Sequence, residues 1–522
     1  MACSPTTAQV GGLGIVCYQR PVVGARTKRG EVESNCHFEY ALSDSRNCGI
    51  TLHYFASGFV TGAANAIFFD VLAGYLNVSA AVMQGGLNLA QLPTVFSIVL
   101  GVLSDSRPIC GWRRRPYMVG GWLLAAACTF CLMGLGLPAP YYCFSSEEDR
   151  YLFEQAPCNP HAVDFYVPLM ACVCVAQLGI TAAGAAANGL MVEYAKEEAE
   201  DRRGRAQTLL QMVSTAGYFV SVTIVAFGFN GRMFTGSFNQ RHQLSYQEAM
   251  GIVAAMCTVT GAMCAIKVHE RPGGSASLRE YSRSSWHLLE SKAFCAVALF
   301  FFASSSIFNI STTARVWVGL EWAKTENMQR QLSGMLGACL FLLGSFVIQR
   351  WLLGASWRKI IFVTGVSTTL LDAIPQFCTI FDVLRNQYFY LGEPVTISVP
   401  QAMSALVTTF LINELADDSN CALVAGLMDT IAAVAQRLSV VLSNQVFSLF
   451  TPSLSDRMNY IKDTQDFRWT ARERKQTWSK RPVFAMLATF ILGVTLLYTL
   501  IGDFLVLDPS LTCLHFLGGE GC

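Results

Sequence analysis

Gln84, Asn88 and Gln91 lie four and then three residues apart inside an apolar stretch, a spacing that sets three amides on one face of a helix. Each amide carries a donor and an acceptor, so the stripe is suited to reading the edge of a flat heterocycle, or to hydrogen-bonding a neighbouring helix. Asn65, and Gln211 and Tyr218 with Gln207 and Ser214, offer comparable chemistry from two other apolar segments. Asp429 and Arg437 stand eight residues apart, about 12 Å along a helix axis, and share a face without having to pair. They join the substrate-binding candidates, because an arginine at that depth suits an anionic substrate or a carboxylate of another helix; the alternative is a boundary residue whose stem snorkels to water. Asp70 and Asp372, near the ends of apolar segments, are candidate carriers of a coupling ion or else boundary carboxylates in contact with water. A further charged group, Asp105 with Arg113, Arg114 and Arg115, separates two long apolar runs.

Catalytic chemistry finds no support. No His or Cys cluster has metal-ligand spacing, and no phosphate-binding loop or nucleophile motif stands in context. Gly11-Gly12-Leu13-Gly14 lies in a polar tail without a supporting strand. The chain reads as a non-enzyme that needs no cofactor or metal.

The elements that must position these residues are membrane helices. Of 522 residues 52% are apolar and only 14% charged, where a soluble domain has about 25% charged residues. A net charge of +1 argues against a nucleic-acid surface. Runs of about 20 apolar residues begin near 50, 81, 116, 165, 206 and 247 and again near 293, 332, 359, 396, 420 and 483. The fold class is therefore all-α and polytopic, with about twelve transmembrane helices in two six-helix bundles. The expected division is a polar tail over 1–49, one bundle over 50–266, a linker over 267–292, the second bundle over 293–506 and a tail over 507–522. Trp112-Arg113-Arg114 after the second run and Trp357-Arg358-Lys359 after the eighth suggest that the halves are repeats. Loops two, four and six hold about thirteen basic residues against about three in the alternate loops, so the N-terminus and linker are expected to be cytoplasmic. The basic segment 456–481 disagrees with that rule. The first helix is expected to serve as an uncleaved insertion signal in a plasma or organellar membrane. Gly179, Ala183 and Ala187 form a small-residue stripe for close helix packing. Cys143 and Cys158, flanking one polar loop, are the pair suited to a disulfide if that loop faces an oxidising side.

The run Gly101-Val102-Leu103-Ser104-Asp105, followed by Gly111 and Arg113-Arg114-Arg115-Pro116-Tyr117, resembles the loop between the second and third helices of major facilitator transporters. Its extra residues between Asp105 and Gly111, together with Tyr54-Phe55-Ala56-Ser57-Gly58, resemble the folate-biopterin transporter branch. The resemblance implies a secondary transporter working by alternating access. Asp105 and Arg113 to Arg115 would act as a conformational latch, and a pterin or folate would be moved, with a proton or sodium ion as a partner. The same inventory would serve a nucleoside, an amino-acid derivative or S-adenosylmethionine, and a sugar carrier of a related facilitator branch is a second transporter reading that should show more aromatic stacking surface in its cavity. A receptor or scaffold is a reading of another class, for which the tail and loops offer no sizeable interaction domain.

Overall fold

A computed structural model describes residues 47–448 apart from 79–82, 84, 85, 87–89, 153, 154, 198–204, 235, 240–242, 269, 271–282, 284–291, 311–317, 349–356 and 416–420, together with 6–10, 13–17 and 36–38. The long helices are α1 Cys48–Phe69, α2 Ser97–Ser106, α3 Arg115–Leu135, α4 Tyr166–Glu197, α5 Arg205–Gly228, α6 Tyr246–Lys267, α7 Lys292–Phe308, α8 Asn327–Val347, α9 Trp357–Ile380, α10 Gln387–Leu415 and α11 Cys421–Ser448. Among the described residues seven helices are long and apolar enough to cross a bilayer, with shorter apolar helices over Leu92–Ser106 and Val297–Ile307.

Local sequence explains the helix ends. Pro116 occupies the first turn of α3, where a missing amide hydrogen costs little. Ser245 and Glu248 close a reciprocal capping box at the start of α6. α1 passes into a π-helical turn, Asp70–Tyr75, and α2 is entered through a 3-10 turn, Leu92–Phe96, so both change geometry beside polar residues. Two helices start earlier than hydropathy predicts. α10 begins at Gln387 rather than near 396 and carries Pro394 and Pro400 internally, which membrane helices tolerate when neighbours satisfy the freed carbonyls. α8 begins at Asn327 rather than near 332, because its polar first turn is taken up by contacts described below. The run near 420 is one helix. The expected last span 483–506, the basic segment 456–481 and the tail 507–522 lie outside the described residues.

Helix pairing repeats at an offset of six. In the first half α1 packs on α5, α2 on α4 and α3 on α4; in the second, α7 packs on α11, α8 on α10 and α9 on α10. The halves meet through α5 against α8 and through α11 against α2 and α4. Backbone-to-backbone crossings depend on glycine: a Cβ on Gly58 would collide with the Ser214 carbonyl on α5, and one on Gly179 with the Gly121 carbonyl on α3. The predicted small stripe therefore packs as expected, with Ala183 and Ala187 fully buried. In the loop after α3, Cys143 and Cys158 form a disulfide around the hairpin of Phe144–Ser145 and Arg150–Tyr151. Residues 1–49 differ from a plain polar tail, since Thr6–Val10, Leu13–Cys17 and Cys36–Phe38 pair as an antiparallel sheet. The glycine run thus leads directly into the second strand of a hairpin, Leu13–Cys17, where a phosphate loop would lead into a helix.

Candidate functional site

Polar side chains collect at three levels of the bundle. At the first, where α2 ends and α3 begins, Arg114 is buried and its Nε donates to Asp105 at 3.1 Å. Its Nη1 lies 2.8 Å from Glu193 at the end of α4. Arg113 lies 3.5 Å from Glu193 and 3.8 Å from Glu270. Burial alone would lower the Arg114 pKa, but Asp105 and Glu193 outweigh it and hold the guanidinium above its ordinary value. Arg115 turns away, stacking over Trp112 and donating to the Ala265 carbonyl near the end of α6. Glu270 was not foreseen in this cluster. Its wholly buried carboxylate accepts the backbone amides of Arg113, Arg114 and Arg115 at 3.0–3.1 Å. A carboxylate there satisfies amides that have no partner within the helix and lies at the positive end of its dipole. The predicted latch is therefore larger than its sequence signature: Asp105 holds Arg114, and two glutamates from the ends of α4 and α6 hold the rest.

The second level lies inside the bundle. The Tyr54 hydroxyl donates to Asn188 Oδ1 at 2.9 Å, and Asn188 Nδ2 donates to Asp429 Oδ2 at 3.1 Å. The chain of bonds runs from α1 through α4 to α11, and so crosses from one half to the other. Nearby, the Ile98 amide donates to Thr430 Oγ1 at 3.1 Å, and Arg437 donates to the Gln91 carbonyl at 3.3 Å. The Gln91 carbonyl, at the start of the 3-10 turn, also accepts the Thr94 hydroxyl at 2.7 Å. Tyr54, Thr61 and Asn65 share one face of α1 at i, i+7 and i+11, with Asn65 exposed. Tyr218 stands between Gly62 of α1 and Gly334 of α8, and Gln211 is half-buried two turns before it. Gln84 and Asn88 lie outside the described residues, whereas Gln91 is half-buried. Arg437 and Asp429 do not pair with each other, as their spacing predicts. An apolar pocket among α1, α5 and α6, lined by Phe59, Ile67, Val225 and Phe229, contains none of the predicted substrate residues.

The third level is at the far end of α1. Asp70 is fully buried, and its Oδ1 accepts from Arg330 at 2.8 Å while its Oδ2 accepts from Asn327 at 3.1 Å. Asn327 also donates to Asn230 Oδ1 at 3.0 Å, and the Arg330 guanidinium sits 4.0 Å over the Phe69 ring. Asp70 thus pairs with a cation from the opposite half. Asp372 is half-buried on α9, apart from these groups. Arg330, Asn327 and Asn230 were missed because they read as helix-end polar residues; the available signal was a polar first turn, Asn327 to Arg330, on an otherwise apolar helix.

Residues 55–142, from α1 through the latch and α3, match the model of the BT1 family. Over 329 residues the chain is 21% identical to the Arabidopsis thaliana protein named "Probable folate-biopterin transporter 7", a match spanning 63% of this chain and 66% of that one, just under two thirds of its length. Among solved structures, a human organic anion transporter aligns over 81% of this chain and 96% of its own, with a TM-score of 0.55 at 10% identity. The xylose transporter XylE of E. coli, partially occluded and inward open, aligns over 80% and 93% with a TM-score of 0.53 at 12% identity. Segment match and fold agree: residues 55–142 are similar to the BT1 family, and the chain shares its helical fold with these membrane transporters.

Proposed function

We propose that the protein moves a pterin or folate-like molecule by alternating access, its two helix bundles rocking about the polar residues between α1, α2, α5 and α11. The observation that carries this reading is the position of the family match. Residues 55–142 supply the face of α1 bearing Asn65, the Gln91 turn and the Asp105 latch, which are the parts that would contact substrate and switch. Substrate contacts fall to Asn65, Gln91, Gln211 and Tyr218, with Gln84 and Asn88 on the same stretch as Gln91. Amides suit the donor and acceptor edge of a pterin ring. Arg437, held at the carbonyl where α2 changes geometry, is placed to exchange that neutral acceptor for a substrate carboxylate.

The latch end is assigned to the cytoplasm. Its loops carry the basic residues, and the Cys143–Cys158 disulfide lies in a loop after α3, at the opposite end, where an oxidising compartment suits it. The test is uptake into proteoliposomes of labelled folate, biopterin, S-adenosylmethionine and xylose, each under proton and sodium gradients. Saturable uptake of folate or biopterin in excess of the other two is expected. Arg437→Gln should weaken folate uptake about ten- to a hundredfold and leave biopterin little changed, the loss expected for one charge-assisted contact. Preference for xylose or S-adenosylmethionine would overturn the substrate assignment.

A further inference from the structure

Two carboxylates of the described residues lie where the halves meet, and their partners differ. Asp70 already has Arg330. Asp429 has the amide of Asn188, and among the described residues no Lys or Arg pairs with it. It sits half-buried on a helix whose neighbouring turns, through Val424, Ala425 and Met428, are buried against Phe294 of α7 and Val192 of α4. A carboxylate charged in such surroundings without a cation is costly, so it takes up a positive charge from solution.

Most charged and titratable groups described on the surrounding elements have partners of their own. Arg437, two turns along α11, donates to Gln91. Glu193 of α4 is held by Arg113 and Arg114, and Asp105 of α2 by Arg114. On α1, His53 accepts from Trp122. Between 293 and 308, α7 carries no charged residue, while α10 contributes Glu393, bonded to Gln376, and Glu414 at its end. The immediate ligands then select the ion. Asn188 aims an N–H donor at Asp429, and its amide oxygen is occupied by the Tyr54 hydroxyl. That arrangement repels a metal cation and denies it the several oxygen ligands it needs, but leaves the second carboxylate oxygen free to carry a proton.

We propose that Asp429, oriented by Asn188 and Tyr54, is the site of the coupling proton. The inference rests on the transporter reading above and names its driving ion. Because the Asn188–Asp429 bond joins α4 to α11, opening the halves at the latch end breaks it and admits water to the carboxylate. The proton is then released on that side, and closure with Asp429 protonated restores the bond without burying a charge.

The test uses the purified full-length protein in lipid. Infrared difference spectra across a pH titration should show a carboxyl C=O band that disappears in Asp429→Asn, persists in Asp70→Asn and shifts in Asp429→Glu. In proteoliposomes, Asp429→Asn should lose proton-driven accumulation of biopterin or folate at least tenfold while keeping counterflow exchange, and Asp429→Glu should recover part of the coupling. A titrating band unchanged in Asp429→Asn, proton-driven accumulation retained by that variant, or accumulation that follows sodium would each overturn the proposal. If the wild-type protein moves no pterin, the substrate assignment fails, and the infrared titration still decides the proton site.

Discussion

Asp70→Asn isolates the contact that closes the end of the bundle opposite the latch. In the closed arrangement Asp70 bonds Arg330 at 2.8 Å and Asn327 at 3.1 Å, joining the end of α1 to the start of α8 across the halves. Once those helices part, both partners pass to water and the interaction is gone, so its strength counts almost wholly toward closure. A hydrogen bond to a charged group contributes about 1.5–3 kcal/mol. The Arg330 side chain remains 29% exposed, which places the loss in the lower part of that range. Asparagine fills the same volume and retains an acceptor for Asn327, so the change removes the charge without opening a cavity. The closed-to-open ratio should fall about ten- to thirtyfold, turning a 99:1 preference into one between about 10:1 and about 3:1. Spin labels at Glu148, on the hairpin after α3, and Tyr388, at the start of α10, report this end from both halves, and both positions are exposed. Pulsed electron–electron resonance should show a longer-distance population in Asp70→Asn that is minor in the wild type. Arg330→Gln should open the same end at a greater cost in stability, because it leaves a buried carboxylate without its cation. Distance distributions identical in wild type and Asp70→Asn would mean that the pair does not hold this end closed.

Glu270→Gln should lower stability by about 1–3 kcal/mol, since three backbone amides lose a charged acceptor at the start of α3; tryptophan-fluorescence unfolding in detergent measures it, and an unchanged midpoint refutes the capping role. Asp105→Asn should slow substrate exchange several-fold while leaving equilibrium binding in a conformationally locked variant unchanged, because the residue meets Arg114 at the latch and not the substrate stripe; a collapse of binding with normal exchange would contradict this. Gly58→Ala should cost about 1–3 kcal/mol or abolish expression, as the new Cβ would collide first with the backbone carbonyl of Ser214 on α5, whereas Gly134→Ala, with open space around it, should be tolerated; size-exclusion profiles of the two variants provide the comparison.

What was legible in the sequence was whatever a single helix declares about itself. Apolar length located eleven helices to within a few residues at most ends, and the small stripe of α4 announced a close crossing. Asp105 and Arg114 were recognisable because a run of ten residues holds both. Glu193 and Glu270 complete the same cluster from positions tens to more than a hundred residues away, and nothing local distinguishes either from an ordinary loop carboxylate. The two internal prolines of α10 concealed its first nine residues, because in water such residues would end a helix, whereas α8 and α9 supply Ser333 and Gln376 as contacts along that stretch.

The contacts between the halves were the least legible, for a reason that bears on mechanism. Asp70 meets Arg330 across 260 positions, and Asn188 meets Asp429 across 241. Asp70 and Arg330, viewed alone, are polar residues at helix ends, the commonest place for them, and Asn188 and Asp429 are single polar residues within apolar helices. Only the pairing of α5 with α8 and of α11 with α4 brings such residues together, and on the proposed mechanism their bonds exist in one arrangement of the halves and vanish in another. The latch differs in kind: Asp105, Arg113, Arg114 and Glu193 all belong to one half, and Glu270 to the segment leaving it. It therefore cannot bridge the halves directly. The end of α4 connects it to the second half, where Val192, next to Glu193, packs against Phe294 and Val424. On the proposed mechanism, fixing that helix end would fix the surface against which α11 closes, so that the Asp105 cluster and Asp429 would act on the same α4–α11 contact, one from its rim and the other from within.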